Sequence, residues 1–234
     1  MPLNEIQERL CSESPTDFSD LKAIAFNCSL KRRAAESHTR LLLSVSEEIL
    51  QRGGVAVEHI HLAEHRVPYG IYPDMTEHGW ESDDWPNLWE QVKAADILIV
   101  GTPIWLGEES SLCRILIERL YGMSGLLNDR GQSVFYSKVG GAVMTGNEDG
   151  VKHCAMTILY ALGHLGYTIP ERVHGKPAGF DNDFPQRNTS FMTWNLMHLA
   201  RLLKDAGGIP NHGNDRKAWD AGCRFGYDNP DYRA

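Results

Sequence analysis

Short apolar runs alternate along this chain with stretches whose apolar residues recur at helical spacing. Ala23-Ile24-Ala25-Phe26 closes at Asn27-Cys28-Ser29, and a brief apolar run with polar flanks suits a buried parallel strand. From about Ser37 the period changes. Leu41, Leu42, Val45 and Ile49 predict a helix that Gly53-Gly54 stops. Val55, Val57 and Ile60 predict a second strand over roughly 55–61. Asp84 and Pro86 open a short helix with Leu88 and Val92 inward. Ile97-Leu98-Ile99-Val100 is the clearest strand, and its helix carries Leu112, Ile115, Leu116 and Leu120 before ending at Gly122. A fourth strand runs from Val139 to Met144. The helix after it, about 150–165, sets Val151, Ile158, Leu159 and Leu162 on one face. Tyr167-Thr168-Ile169 reads as a short fifth strand before Pro170. Asn188 or Thr189 caps a last helix to about Asp205, carrying Phe191, Trp194 and Met197.

Strand followed by helix, five times over, predicts a doubly wound α/β fold: a parallel sheet with helices on both faces. Ligands of such sheets bind beyond the carboxyl ends of the strands. Residues 1–20 read as a polar, weakly structured arm, 21–206 as one α/β domain, and 207–234 as a surface tail rich in Gly, Asn and Asp. The irregular stretch 65–84 is longer than a plain connection requires, which marks it as functional or as an interface. Residues 171–188 read as another polar loop.

Charge narrows the function. With 23 basic and 31 acidic side chains the formal net charge is -8, which argues against nucleic acid or an acidic membrane as partner. A small phosphorylated ligand is still allowed, because it needs only a few oriented donors. No apolar run reaches the ~20 residues of a bilayer span, and Met1 to Asp20 has no apolar signal core. The five cysteines (11, 28, 113, 154 and 223) are far apart and form no C-x-x-C pair. A reducing cytoplasm is therefore expected, without a disulfide framework.

Three loops on one sheet edge carry the candidate chemistry. The first, Asn27 to Thr39, holds Ser29, Lys31, Arg32, Arg33, Ser37, His38 and Thr39. Hydroxyls and amides at a helix start attract an anion, or simply cap the helix. In the second, Thr102-Pro103-Ile104-Trp105-Leu106-Gly107 leads to Ser110-Ser111. Proline and glycine fix its backbone, and Trp105 offers a flat face to a ring system or to a neighbouring chain. The third, Thr145-Gly146-Asn147-Glu148-Asp149-Gly150, again presents amides at a helix start. His59, His61 and His65 have no carboxylate or cysteine completing a metal set, so they read as solvent-facing edge or loop histidines. His153 reads as a surface or interface histidine, or one that reaches substrate. Trp80, Trp85, Trp89, Tyr69 and Tyr72 form a lid, a subunit contact or core.

Across roughly residues 22–170 the chain resembles the NADPH-dependent FMN reductase and multimeric-flavodoxin group. The run Ala95-Asp96-Ile97-Leu98-Ile99-Val100-Gly101-Thr102-Pro103-Ile104-Trp105 is similar to that group's third strand and flavin loop. Val139-Gly140-Gly141-Ala142 through Thr145-Gly146-Asn147 resembles its fourth strand and loop. The first loop departs most: Cys28 stands where the group has glycine, and extra residues separate Ser29 from Ser37-His38-Thr39. Cys28 there reads as a small replacement rather than a reactive thiol. No closely spaced cysteines follow the second strand, so no iron–sulfur cluster is expected.

The resemblance implies a flavodoxin-like five-stranded sheet of order 2-1-3-4-5 holding FMN. Ser29, Lys31, Ser37, His38 and Thr39 would bind the phosphate. Thr102, Pro103, Ile104, Trp105, Leu106 and Gly107 would hold the ribityl chain and one ring edge. Thr145, Gly146, Asn147, Asp149 and Gly150 would cover the pyrimidine side. It further implies NADPH or NADH as donor, a small acceptor such as a flavin or quinone, and a homodimer or homotetramer with the aromatic loop 69–89 near the interface. No catalytic side chain is required for hydride transfer to the flavin, and none is named. The alternatives are a non-enzymatic electron carrier and a phosphate-binding regulator. The latter lacks the paired acids of a receiver, since Asn27 and Cys28 end the first strand.

Overall fold

A computed structural model describes residues 3–147, 149–170 and 183–226. In chain order the elements are α1 (Glu5–Ser12), β1 (Lys22–Asn27), α2 (His38–Arg52), β2 (Ala56–His61), α3 (Trp85–Ala94), β3 (Ile97–Trp105), β4 (Glu108–Glu109), α4 (Ser111–Gly122), β5 (Val139–Thr145), α5 (Val151–Leu165), α6 (Asp183–Asp205) and α7 (Arg216–Asp220). β2, β1, β3 and β5 pair in that order, all parallel. α1, α2 and α6 cover one face around Leu43, Ile49, Ile99 and Leu196. α3, α4 and α5 cover the other around Trp85, Leu116, Val100 and Ile158.

The sheet keeps the expected doubly wound arrangement through its four long strands, but its fifth strand differs. Residues 167–169 contribute a single parallel bridge, Thr168 to Val139. Thr168 N donates to Lys138 O at 2.8 Å and its carbonyl accepts from Gly140 N at 3.1 Å. Pro170, which has no N–H, follows at once. The fifth strand of the sheet is instead the two-residue β4, antiparallel to the end of β3.

Other boundaries move for local reasons. Residues 5–12, expected as weakly structured, form α1, because Asn4 and Gln7 make a reciprocal capping box. Leu3, Cys11 and Phe18 are buried there with α2. α6 begins at Asp183, so Asn188 and Thr189 lie inside it rather than capping it. The rest of the expected polar loop, 171–182, lies outside the described residues. On α4 the inward face is Cys113, Leu116, Ile117 and Leu120, while Leu112 and Ile115 are only half-buried. Residues 207–226 lie at the surface, none of them buried, and include α7. Gln132 fastens them, its Nε2 donating to Asn214 Oδ1 at 2.7 Å and to the Ile209 and Pro210 carbonyls.

The long connection 65–84 divides its aromatics. Trp85 and Trp89, just beyond it, are core. Tyr69, Tyr72 and Trp80 stay exposed, while Ile71 of the same connection lines a groove of about 550 Å³ between α4 and α5 together with Tyr121, Met156 and Tyr160.

Candidate functional site

Beyond the carboxyl ends of β1, β3 and β5 lies a cleft of about 730 Å³, inside the range of small-molecule sites, roughly 300–1,000 Å³. Ser29, Leu30, Lys31, Glu36, His38, Thr39 and Leu42 line one side. Pro103, Ile104, Trp105, Thr145, Gly146 and Asn147 line the other. Of the residues expected to act together, Ser29, Lys31, His38, Thr39, Pro103, Ile104, Trp105, Thr145, Gly146 and Asn147 share this cleft. Leu30, Glu36 and Leu42 belong to it without having been singled out. Leu42 follows Thr39 by one helical turn, a spacing that signals a shared face.

The remaining expected residues support its walls. Ser37 caps α2, accepting from Arg40 N at 3.1 Å, and its hydroxyl donates to Asn27 Oδ1 at 3.3 Å. Asn27 Oδ1 also accepts from Ser29 N at 3.1 Å, which curls the chain into the loop. Among the described residues the buried Asn27 Nδ2 has no hydrogen-bond partner. Thr102 Oγ1 accepts from Ser110 N at 3.0 Å and donates to the Pro103 carbonyl. Ser110 Oγ then donates to Cys28 O at 2.6 Å, tying the second loop to the end of β1.

The second loop is a β-hairpin rather than a strand-to-helix turn. Ile104 pairs with Glu109 and Trp105 with Glu108, around a turn in which Leu106 (φ 52°) and Gly107 (φ 83°) both take left-handed backbone. That is the geometry of a two-residue hairpin turn. Its first and third loops meet too: the Thr39 and Thr145 hydroxyls are 2.7 Å apart. Leu106, Gly107, Asp149 and Gly150 do not line the cleft. Gly107 and Gly150 instead meet backbone to backbone, and a Cβ on Gly150 would lie 2.5 Å from Gly107 Cα.

His59 and His61 are not solvent-facing. His59 Nδ1 lies 2.7 Å from Glu47 Oε1, and Arg40 holds the other oxygen of that buried carboxylate at 2.8 Å. His61, 3% exposed, bonds the Lys31 carbonyl at 2.7 Å through Nε2 and so fixes the first loop. Alternation on β2 hid this, because the end of that strand is covered by the loop itself.

Three buried thiols lie under the hairpin. A hydrogen bond with Cys28, then burial, raises the Cys113 thiol well above its ordinary value. Burial, then the Glu109 and Glu108 carboxylates, raises Cys154 to about 11, and its Sγ donates to the Gly107 carbonyl at 3.3 Å. Cys28 is wholly buried. Burial also raises Cys11. Since the thiolate is the reactive form, a disulfide-exchange reagent should count one rapid thiol per native chain, the exposed Cys223. Two or more rapid thiols would contradict this packing.

The arrangement defines a doubly wound, flavodoxin-like protein whose cleft is built by three strand-to-helix connections at one end of the sheet. The sequence profile of the NADPH-dependent FMN reductase family matches residues 21–175, and the chain belongs to that family of FMN-dependent oxidoreductases. It is 33% identical to 8-demethyl-8-aminoriboflavin-5'-phosphate synthase of Streptomyces davaonensis, over 79% of each chain. It is 46% identical over 206 residues to a protein of Mycobacterium bovis named divalent metal cation transporter MntH, covering 82% of this chain; the chain spans 30% of that relative's length. Among solved structures, RosB with bound 8-demethyl-8-formylriboflavin-5'-phosphate superposes with a TM-score of 0.77 at 29% identity, over 92% of this chain and 94% of RosB. Among the described residues no helix is long and apolar enough to cross a membrane.

Proposed function

We propose that this chain is an FMN-dependent oxidoreductase that takes electrons from NADPH or NADH and passes them to a small acceptor. The observation that carries the reading is the cleft itself: the hydroxyl and basic groups of Ser29, Lys31, His38 and Thr39 line one cavity together with the half-exposed Trp105. These residues suit a flavin phosphate. Thr39 lies in the first turn of α2, whose amides have no carbonyl partner within the helix. Ser29, Lys31 and His38 add donors around it. The unpartnered Asn27 Nδ2 below the loop is a further donor. At the ring end, a side chain at Gly146 would press on Ile104 at 3.0 Å, so glycine keeps that wall thin for a flat group.

A bound FMN supplies reversible hydride chemistry. Ser29, Lys31, His38 and Thr39 would hold its phosphate, and Trp105 and Ile104 would flank the ring. Trp105→Ala should weaken FMN binding by about 10- to 100-fold, the order that removal of one stacking face gives. Equilibrium titration followed by flavin fluorescence measures it; unchanged affinity would remove Trp105 from the site.

The identity to the aminoriboflavin-phosphate synthase supports a second reading, in which a flavin phosphate in this cleft is the substrate and is altered on its benzenoid ring. Anaerobic titration with NADPH and NADH separates the two. Under the first reading a nicotinamide bleaches the bound flavin, air restores its colour, and mass spectrometry recovers unaltered FMN. A flavin of changed mass after turnover would establish the second.

A further inference from the structure

Glu108 and His153 form a contact that the FMN reading leaves without a task. Glu108 is the cross-strand partner of Trp105, so both side chains leave the same face of the hairpin. His153, in the first turn of α5, sets Nε2 3.0 Å from each carboxylate oxygen of Glu108. Their side chains are 49% and 58% exposed, within reach of a ligand. The Gly107–Gly150 backbone contact and the Cys154–Gly107 hydrogen bond, either side of His153 in sequence, lock the hairpin turn to α5. The position of the pair relative to Trp105 is therefore set by backbone.

We propose that Glu108 and His153 form a subsite for the carboxamide of a nicotinamide dinucleotide. The proposal rests on the reading that the cleft holds FMN and that a nicotinamide approaches its Trp105 end. A primary carboxamide carries an N–H donor and a carbonyl acceptor on one carbon. A carboxamide inserted between the two replaces their contact with each other: its N–H donates to Glu108 and its carbonyl accepts from His153 Nε2–H. The acid analogue has no N–H to donate and brings a second negative charge to Glu108, so the pair rejects it as well as accepting the amide. An exposed ion pair contributes little to folding, so substitutions here read out binding rather than stability.

The test uses oxidised, FMN-loaded protein, after one FMN per chain has been confirmed by absorbance. Calorimetry measures binding of NAD+ and NADP+ against their nicotinic-acid counterparts. Wild type should prefer the amides by about tenfold or more, equivalent to roughly 1.4 kcal/mol. Glu108→Gln should bring the preference to within about twofold. His153→Ala should weaken the amides about fivefold while leaving the acids unchanged, with urea midpoints of both variants near wild type. Equal binding of amide and acid by wild type, or a preference that survives Glu108→Gln, overturns the proposal while the FMN reading stands. Failure to take up FMN overturns both.

Discussion

Asp83→Ala should lose about 3–5 kcal/mol of folding stability, the scale of breaking a buried ion pair from one side, seen as a large fall in the urea midpoint. The Asp83 and Arg119 side chains are both 0% exposed and in contact. Burial pushes the Arg119 guanidinium below its ordinary value, and the Asp83 carboxylate opposes that most strongly. Removing Asp83 strands a cation in the core whose Nε and Nη1 already have no partner among the described residues. It also removes the acceptor for two amides, Met75 N and Trp85 N, each at 2.9 Å. Arg119→Met should cost less, because the carboxylate left behind keeps both amides. A natural domain has only about 5–15 kcal/mol in total, so the asymmetry between the variants is measurable. Equal losses would mean that the charge pair, and not the amide bonds, carries the whole effect. The pair also matters for shape: Arg119 donates to the Pro73 carbonyl at 3.1 Å and so holds the connection 65–84 on α4.

Gly150→Ala should have the largest effect on the cleft. Gly150 takes φ 106° as the N-cap of α5, a conformation that costs an L-residue about 1–2 kcal/mol. The added Cβ would also lie 2.5 Å from Gly107 Cα and 2.7 Å from its carbonyl oxygen. Both obstacles are backbone, so no side-chain rotation relieves them, and such overpacking costs a further 1–3 kcal/mol or so. The hairpin must move away from α5, carrying Trp105 with it. FMN affinity should fall by about tenfold or more, together with a lower melting temperature. Gly125→Ala, where a Cβ would meet nothing within 4 Å, is the control and should change neither.

Much of this was legible from the chain. Period alone located β1, β3, β5 and their helices, because each strand is a short apolar run and each helix repeats its apolar residues on one face. The same pattern placed three loops at one sheet edge, and ten of the residues singled out on them line the cleft. What the pattern missed follows from contacts it cannot encode. Gly101-Thr102-Pro103 looks like the end of a strand, yet β3 continues to Trp105, because these residues still pair with Val143 to Thr145 of β5 after β1 has stopped at Asn27. Leu106 hid the hairpin turn, since glycine or asparagine is the usual sign of left-handed backbone there. The Asn4–Gln7 capping box was present in the sequence, but the polar residues around it masked α1. Gly150 looked like a ligand-binding glycine; it is a point of close approach between two backbones. Nothing in the sequence pattern reveals the partners of His59 and His61, which come from α2 and from the first loop.

The central claim is that the first loop and α2 hold a flavin phosphate while Trp105 meets the ring. Titration of flavin-free protein with FMN and with riboflavin, followed by quenching of flavin fluorescence, tests it most directly. The account predicts one FMN per chain and riboflavin weaker by about tenfold or more, since each charge-assisted hydrogen bond to phosphate contributes roughly 1.5–3 kcal/mol. No uptake of either flavin, or equal affinity for both, would contradict it.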